Sequence, residues 1–140
     1  MTTATTSIVV RSTELDAYGH VNNARYVEYF EWGRFDWLDV TGLGAAVSGD
    51  GSAYVVVNVN VAYKKEARLG EKLTLKTALK TMGKGSLVMA QRLENTSGAV
   101  VAEGEVVLAA FDPKARKGMP LPQNHVELLT PHVVAAGLGA

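Results

Sequence analysis

The alternation of side chains after residue 53 constrains the fold of this chain more than any other feature. From Val55 to Tyr63 every second residue is Val or Tyr, which is the spacing of a β-strand, whose successive side chains point to opposite faces. Similar runs follow at residues 72–80, 87–94 and 100–111. The connections between the runs are short and contain glycine, and short connections join antiparallel neighbours. The sequence therefore predicts a mostly antiparallel sheet.

A long helix is predicted before these strands. Residues 24–40 contain no proline and are dense in aromatic side chains, Asn22 or Asn23 can cap the start, and Gly42 follows the end. Residues 8–10 form the predicted first strand, and residues 43–52, rich in Gly, Ser and Ala, a loop. We therefore predict an α+β fold with one long helix packed on the sheet. Residues 1–140 form a single predicted domain, with a flexible tail over about 130–140.

The composition excludes several classes of function. Lys and Arg together number 14, as do Asp and Glu, so the charge does not predict nucleic acid or an anionic membrane as a partner. No stretch approaches the ~18 apolar residues that span a bilayer, and the first residues lack a signal-peptide pattern, so we expect a cytoplasmic protein. Cysteine is absent and there are 3 histidines, so neither a disulfide nor a protein-built metal site is expected.

The segment between the first strand and the helix carries the strongest candidates for chemistry. Serine-nucleophile and phosphate-loop motifs are absent, which leaves a carboxylate as base or nucleophile for a hydrolysis. Asp16 precedes the predicted helix start at Asn23, where unpaired N–H groups can stabilise an oxyanion. Gly19 lets the backbone approach a substrate closely or adopt a positive φ. The same residues also fit a structural role, with Asp16 in a turn and His20 as a hydrogen-bonded structural residue.

Two charges of the predicted helix lie away from its polar face. Glu31 and Arg34 fall among apolar positions when the helix is drawn with ~100° between successive residues. They fit an ion pair between positions i and i+3 at the helix border. They also fit a subunit interface or the wall of an active site, because enclosed charges need partners.

Two segments resemble the hotdog-fold acyl-CoA thioesterases of the 4-hydroxybenzoyl-CoA thioesterase type. The first is D-A-Y-G-H-V-N-N-A-x-Y from Asp16 to Tyr26, followed by Y-F-E-x-G-R from Tyr29 to Arg34. The second is V-A-Y-K-K-E-A-R-L-G-E-K-L, from residue 61 to residue 73. The resemblance runs from about residue 9 to residue 122. It implies a hotdog fold, in which an antiparallel sheet wraps around one long central helix.

The resemblance also implies an activity and a set of site residues. Asp16 matches the family's catalytic aspartate, which acts as nucleophile or general base in hydrolysing an acyl-CoA to a carboxylate and CoA. The amide of Asn23 matches the group that polarises the thioester carbonyl, and His20 is a third candidate catalytic residue. The predicted substrate-binding residues are Gly19, Val21, Tyr26, Asn60, Tyr63, Lys65 and Lys84. Among these, Lys65 and Lys84 are candidates for the CoA phosphates.

The resemblance implies a homodimer or homotetramer with sites between subunits, so that Asn60 and Tyr63 could come from the partner strand. It implies no cofactor, because CoA is part of the substrate. Two other functions remain open. An acyl-carrier-protein thioesterase is suggested by a likeness to plant-type enzymes, in which Asp16 and His20 match but Tyr18 replaces an Asn. A non-catalytic hotdog protein that binds acyl-CoA is the other, and the acyl chain is left undetermined.

Overall fold

The computed structural model describes residues 3–134 and residue 138. Its strands are β1 (Thr3–Val9), β2 (Ala53–Tyr63), β3 (Lys72–Met82), β4 (Ser86–Glu94), β5 (Val100–Asp112) and β6 (Lys117–Gly118). Its helices are α1 (Asn23–Thr41), α2 (Leu43–Asp50) and α3 (Gln123–Leu129), with 3-10 turns at Ser12–Glu14 and Thr130–His132. The strands pair in the order β1-β3-β4-β5-β2, with β6 added to β5, and every pair is antiparallel. The predicted α+β class, the helix and the antiparallel sheet are confirmed.

Helix α1 begins and ends where the sequence predicts. The side chain of Asn22 accepts a hydrogen bond from the Ala24 N–H, and Gly42 closes the other end with a φ of +83°. Such a left-handed residue just after a helix is most often glycine. The buried face of α1 packs against β1 and β3. Gly33 packs tightly against the sheet, because an added Cβ would lie 2.5 Å from Leu75 Cδ2.

The prediction of a loop over residues 43–52 was wrong for most of its length. Residues 43–50 form α2, and glycines with positive φ, Gly42 and Gly51, flank it. Ala and Leu favour a helix, and the buried side chain of Leu43 anchors it. α3 and β6 were also not predicted, because each is too short to show a periodic pattern. The fold therefore has one long helix, as expected, together with short ones.

A buried histidine joins α2, α3 and β2. His125 is fully buried, and its Nε2 lies 2.7 Å from Asp50 Oδ2 while its Nδ1 lies 2.8 Å from the Tyr54 hydroxyl. Hydrogen bonds from Ser52 and then the contact with His125 hold the pKa of Asp50 well below its usual range. Burial, followed by the charge of Asp50, raises the pKa of Tyr54 to about 12. This network ties the segment after α2 to the C-terminal part of the chain.

The structure places part of the predicted flexible tail. Thr130–His132 form a 3-10 turn, and the N–H of Val134 donates to the carbonyl of Leu79 at 2.7 Å. Val133 forms an isolated parallel bridge with Leu79. Residues 135–137, 139 and 140 lie outside the described residues, as do residues 1 and 2. Flexibility of the tail stays a prediction.

Strand β2 is an edge strand with an unusually apolar exposed surface. It pairs with β5 on one side only within the described part of the chain. Val57 is 58% exposed, and Val55, Val56, Val59 and Tyr63 are also exposed. Edge strands of monomeric proteins are normally protected by charges, prolines or covering segments. The exposed apolar residues of β2 provide no such protection.

Candidate active site

A concavity of about 570 Å³ opens beside the first turn of α1. The loop after β1 forms one side of the concavity, and the end of β2 with the residues that follow it forms the other. The lining residues are Asp16, His20, Val21, Asn23, Tyr26, Tyr63, Lys64, Lys65 and Glu66. This set includes seven of the ten site residues predicted from the sequence. They are Asp16, His20, Val21, Asn23, Tyr26, Tyr63 and Lys65.

The loop that holds Asp16 is a tight turn closed by backbone hydrogen bonds. The Asp16 N–H donates to the His20 carbonyl at 2.8 Å, and the Gly19 N–H donates to the Asp16 carbonyl at 3.2 Å. Gly19 has a φ of +83°, a value that other residues rarely adopt, so the turn requires glycine there. A bridge between Leu15 and Val21 fixes the base of the turn.

The two carboxylate oxygens of Asp16 differ in their surroundings. Oδ1 accepts hydrogen bonds from the N–H groups of Tyr18 at 2.9 Å and His20 at 3.3 Å. Oδ2 lies 4.0 Å from Nδ1 of His20, and the side chain is 28% exposed. One oxygen therefore holds the turn, while the other is available to a ligand in the concavity. The structural and chemical interpretations of Asp16 are compatible in this geometry.

His20 is held from the side opposite Asp16. Its Nε2 lies 2.9 Å from Glu66 Oε2, and the other oxygen of Glu66 accepts from Arg68 Nη2 at 2.7 Å. The backbone fixes this arrangement, because His20 forms a β-bridge with Arg68 and the Val21 N–H donates to the Ala67 carbonyl. The hydrogen bond from Arg68, together with the charge of Arg68, holds the pKa of Glu66 below its usual range.

The first turn of α1, which borders the concavity at Asn23, has one N–H group without an acceptor among the described residues. The Asn22 side chain accepts from the Ala24 N–H at 2.9 Å, and the Asn22 carbonyl accepts from the Arg25 N–H at 2.9 Å. The N–H of Asn23 has no acceptor among the described residues. Because N–H groups at a helix start carry partial positive charge, this donor suits a carbonyl oxygen on which negative charge develops.

Two tyrosines form the apolar wall of the concavity. The rings of Tyr26 and Tyr63 lie 5.4 Å apart, and the Tyr63 hydroxyl donates to the Asn23 carbonyl at 3.0 Å. Tyr26 is buried, and this burial raises its pKa. Tyr63 thus fixes the end of β2 against the helix start, and its own ring is half exposed beside the concavity.

The other predicted residues lie elsewhere. Gly19 shapes the turn without lining the concavity. Asn60 faces the side of β2 opposite Tyr63, since side chains alternate along a strand. Lys84 lies beyond the far end of β3, whose 11 residues span about 33 Å. Within one protomer neither Asn60 nor Lys84 belongs to this site, and only a second copy could bring them to it.

Sequence reasoning missed Glu66 as a site residue. Glu66 stands in the run K-K-E-A-R, which has the appearance of a solvated charged segment. Its role depends on the pairing of residues 66–68 with the turn at His20, a contact between segments that are distant in sequence. The one sequence signal that could have pointed to Glu66 is that it is an acid within the second resembling segment, residues 61–73.

Three charged residues outside the concavity differ in whether they have structural partners. Glu14 is buried and accepts from the Tyr29 hydroxyl at 2.8 Å, so it does not face the concavity. Arg34 is buried and donates to Gln91 Oε1 at 3.1 Å, and burial lowers its pKa. Glu31 is exposed and forms no ion pair within 4 Å among the described residues. The border ion pair is therefore not formed.

A second cavity, of about 740 Å³, lies at the other end of β2. Its walls come from the second half of α1, from α2, from the start of β2 and from the sheet. The side chains that give it an apolar character include Phe35, Trp37, Leu38, Val47, Met89 and Leu108. Arg34 and Glu31 also line it.

No metal site accompanies these cavities. Among residues 3–134 and residue 138, no three His, Cys, Asp or Glu side chains are grouped so that they could hold a metal ion.

No helix in the described part of the chain is long and apolar enough to cross a membrane.

An antiparallel sheet wrapped around one long helix, with an aspartate turn at the helix start, defines a hotdog protein of the thioesterase class. The sequence model of the thioesterase-like superfamily matches residues 10–136, and the chain belongs to this family. The predicted hotdog fold and the predicted thioester hydrolase class are thereby confirmed.

Named relatives agree with this assignment. The chain is 35% identical over 117 residues to the long-chain acyl-CoA thioesterase FadM of Escherichia coli strain K12, covering 83% of this chain and 89% of FadM. It is 32% identical over 114 residues to the acyl-CoA thioester hydrolase YbgC of Escherichia coli O6:H1, covering 81% and 85%. The crystal structure of YbaW, a probable thioesterase from Escherichia coli, superposes with a TM-score of 0.85 at 33% identity, covering 94% and 99%.

Proposed function

We propose that this protein hydrolyses acyl-CoA thioesters to a free carboxylate and CoA. The observation that carries the proposal is the pairing, in one concavity, of the available Asp16 Oδ2 with the unpaired N–H of Asn23. A carboxylate and an oxyanion donor are the two groups that hydrolysis of a thioester needs when no metal takes part. The names of FadM and YbgC, both acyl-CoA hydrolases, support the same substrate class.

In the proposed mechanism the thioester carbonyl oxygen accepts a hydrogen bond from the Asn23 N–H. Asp16 either removes a proton from an attacking water or attacks the carbonyl carbon itself. In the first case the water oxygen bonds to carbon, the C–S bond breaks, and the proton passes through Asp16 to the CoA thiolate. In the second, an Asp16 oxygen bonds to the carbonyl carbon, the C–S bond breaks and CoA leaves as the thiolate. Water then hydrolyses the acyl-aspartyl anhydride to the free carboxylate and the Asp16 carboxylate, and a proton released in this step passes to the thiolate. Neither route requires a cofactor, since CoA arrives with the substrate.

Substrate contacts follow from the lining of the concavity. We place the pantetheine arm along Val21, Tyr26 and Tyr63, whose side chains form its apolar wall. Lys65 stands at the mouth and can bind a CoA phosphate through its ammonium group. Lys84 lies beyond the far end of β3, and Asn60 faces the opposite side of β2 from Tyr63. Both residues can therefore contribute only from a partner subunit.

A homodimer would join the two cavities. Antiparallel pairing of two β2 edges about a two-fold axis places the Ala53 end of one strand beside the Tyr63 end of the other. The apolar cavity of one protomer would then open toward the Asp16 turn of its partner. Its volume of about 740 Å³ suits a long apolar chain, as does the name of FadM. We therefore propose long-chain acyl groups as the preferred substrates.

Dimerisation through β2 is tested by changing the edge strand. Val57→Lys is expected to convert the wild-type dimer or tetramer into smaller species in light scattering, because lysines meet across the two-fold axis. Leu69→Lys is the matched control, since Leu69 is 60% exposed and Val57 58%, but Leu69 lies outside the strand. A wild-type monomer, or equal masses for both variants, would overturn the β2 dimer.

The carrier and the acyl chain are tested together with a substrate panel. Acyl-CoAs from acetyl to stearoyl, with benzoyl-CoA, are compared with the matching acyl groups on acyl carrier protein. We expect the highest kcat/KM for the long-chain acyl-CoAs. A preference for the protein carrier would favour the acyl-carrier-protein thioesterase predicted as an alternative.

Location in the cytoplasm remains a separate prediction.

A further inference from the structure

The imidazole of His20 lies between two carboxylates that differ in distance. Glu66 Oε2 is 2.9 Å from Nε2, which is a hydrogen bond, whereas Asp16 Oδ2 is 4.0 Å from Nδ1. The side chain of His20 is 32% exposed and lines the concavity. The backbone pairing of residues 20 and 68 holds Glu66 in place beside the ring.

We propose that Glu66 is a positioning residue that fixes the tautomer of His20 for thioester hydrolysis. An ionised carboxylate can only accept hydrogen bonds, so the hydrogen in the 2.9 Å contact lies on Nε2. In the neutral ring Nδ1 then carries a lone pair and faces Asp16. This inference rests on the proposed function. It bears on which of the two proposed routes Asp16 follows, general base or nucleophile.

Arg68 keeps Glu66 in the form that the inference requires. Its guanidinium donates to Glu66 Oε1 at 2.7 Å, and Glu66 Oε2 then bonds to His20. With Arg68 bonded, Glu66 is ionised at neutral pH, in agreement with its lowered pKa. A neutral glutamic acid could instead donate to Nε2 and leave the hydrogen on Nδ1.

The gap of 4.0 Å between Nδ1 and Asp16 Oδ2 suits one bridging water. A water with two hydrogen bonds of about 2.8 Å can join acceptors at this separation. It would donate one hydrogen to Oδ2 and the other to Nδ1, which directs its oxygen lone pairs to the thioester carbon. On attack the O–C bond forms, Asp16 takes one proton, and the C–S electrons leave with sulfur. The second hydrogen stays on the oxygen of the new carboxyl group.

The geometry thus favours Asp16 as general base. In that role its partner, His20, touches the reacting water, while Glu66 acts only through His20. A structural role for Glu66 would instead consist in holding residues 66–68 against the turn. The two roles differ in what they predict for the imidazole tautomer and for the separation of kcat from KM.

The test uses nitrogen NMR of the histidine side chains and steady-state kinetics on the full chain. In the wild type we expect the Nε2–H tautomer for His20, with the signals assigned from a His20→Gln variant. Glu66→Ala should give a mixture of tautomers and lower kcat about tenfold or more with little change in KM. Glu28→Ala, which also removes an ion-paired glutamate, lies outside the concavity and should leave both properties unchanged.

Each outcome decides the inference. An Nδ1–H tautomer in the wild type would overturn it, as would a Glu66→Ala variant that keeps the wild-type tautomer and a kcat within twofold. A variant that loses kcat but keeps the tautomer would show a structural role for Glu66 and would also overturn the inference. If the wild type hydrolyses no acyl-CoA, the proposed function fails, and this result is distinguishable because the NMR measurement does not depend on turnover.

Discussion

Replacing Asp16 with Asn is expected to lower kcat for acyl-CoA hydrolysis by about 10²–10⁴-fold, with a small change in KM. Asn keeps an oxygen that can accept from the N–H groups of Tyr18 and His20, so the turn is expected to retain its shape. The substitution replaces the available oxygen, Oδ2, with an NH2 group, which can neither take a proton from water nor attack a carbonyl carbon. The loss should therefore fall on the chemical step, while substrate binding persists.

Asp112→Asn provides a matched control for this variant. Asp112 Oδ1 also accepts two backbone N–H groups, those of Lys114 and Ala115, but it lies in a turn away from the concavity. The control should keep wild-type kinetics and a wild-type melting temperature. If Asp16→Asn were as active as Asp112→Asn, the proposed mechanism would have to be abandoned. Loss of the circular dichroism signal in Asp16→Asn would instead show that the turn needs the carboxylate.

Introducing a side chain at Gly33, on the buried face of α1, is expected to cause a large loss of stability. A Cβ at this position would lie 2.5 Å from Leu75 Cδ2 and 2.6 Å from Thr77 Oγ1, distances that real structures do not tolerate. Helix α1 cannot move away from the sheet without breaking the 2.8 Å hydrogen bond that Gln91 Nε2 donates to the Phe30 carbonyl. Gly33→Val should lower the free energy of unfolding by about 1–3 kcal/mol, measured by urea denaturation.

Gly49→Val is the control for the general effect of replacing a helical glycine. Gly49 lies in α2 with nothing within 4 Å of an added Cβ, so its replacement should be neutral or slightly stabilising. Equal stabilities for Gly33→Val and Gly49→Val would contradict the close approach of α1 to the sheet. Because both substitutions add the same side chain, their difference isolates the effect of packing.

The fold was predictable where the sequence pattern is local and long. The alternation in β2, β3, β4 and β5 and the caps of α1 follow from neighbouring residues, so they could be recognised from the sequence. α2 was missed because glycine and serine reduce the helix signal, while the contacts that stabilise it, such as the burial of Leu43, are distant in sequence. The network of His125 with Asp50 and Tyr54 is likewise distant in sequence and has no local pattern.

The candidate site was predictable to a similar extent. Asp16, His20 and Asn23 lie in one continuous segment, so their proximity followed from the chain and their chemistry from the resemblance. Tyr63 was named from the alternation of the strand, as a residue of a partner subunit, and Lys65 for its charge, and both line the concavity of the same protomer. Glu66 was not named, because its contact with His20 depends on how two segments pair in three dimensions. Asn60 was placed by strand position without regard to the face that it occupies.

The turn around Asp16 explains how one short segment can serve both stability and chemistry. Oδ1 accepts the N–H groups that fix the turn, and Oδ2 is left for the substrate. Asn22 caps the helix, and the next residue, Asn23, lines the same concavity. The residues that start the helix therefore also orient the groups that the proposed reaction uses.

The central claim, that the concavity catalyses thioester hydrolysis, is tested most directly by the products formed from palmitoyl-CoA. The purified protein is mixed with an excess of palmitoyl-CoA, and both CoA and palmitate are measured over time. We expect equal amounts of the two products over many turnovers, and almost none with Asp16→Asn. Binding of palmitoyl-CoA in calorimetry without release of CoA would contradict the claim and identify the chain as a non-catalytic acyl-CoA-binding protein.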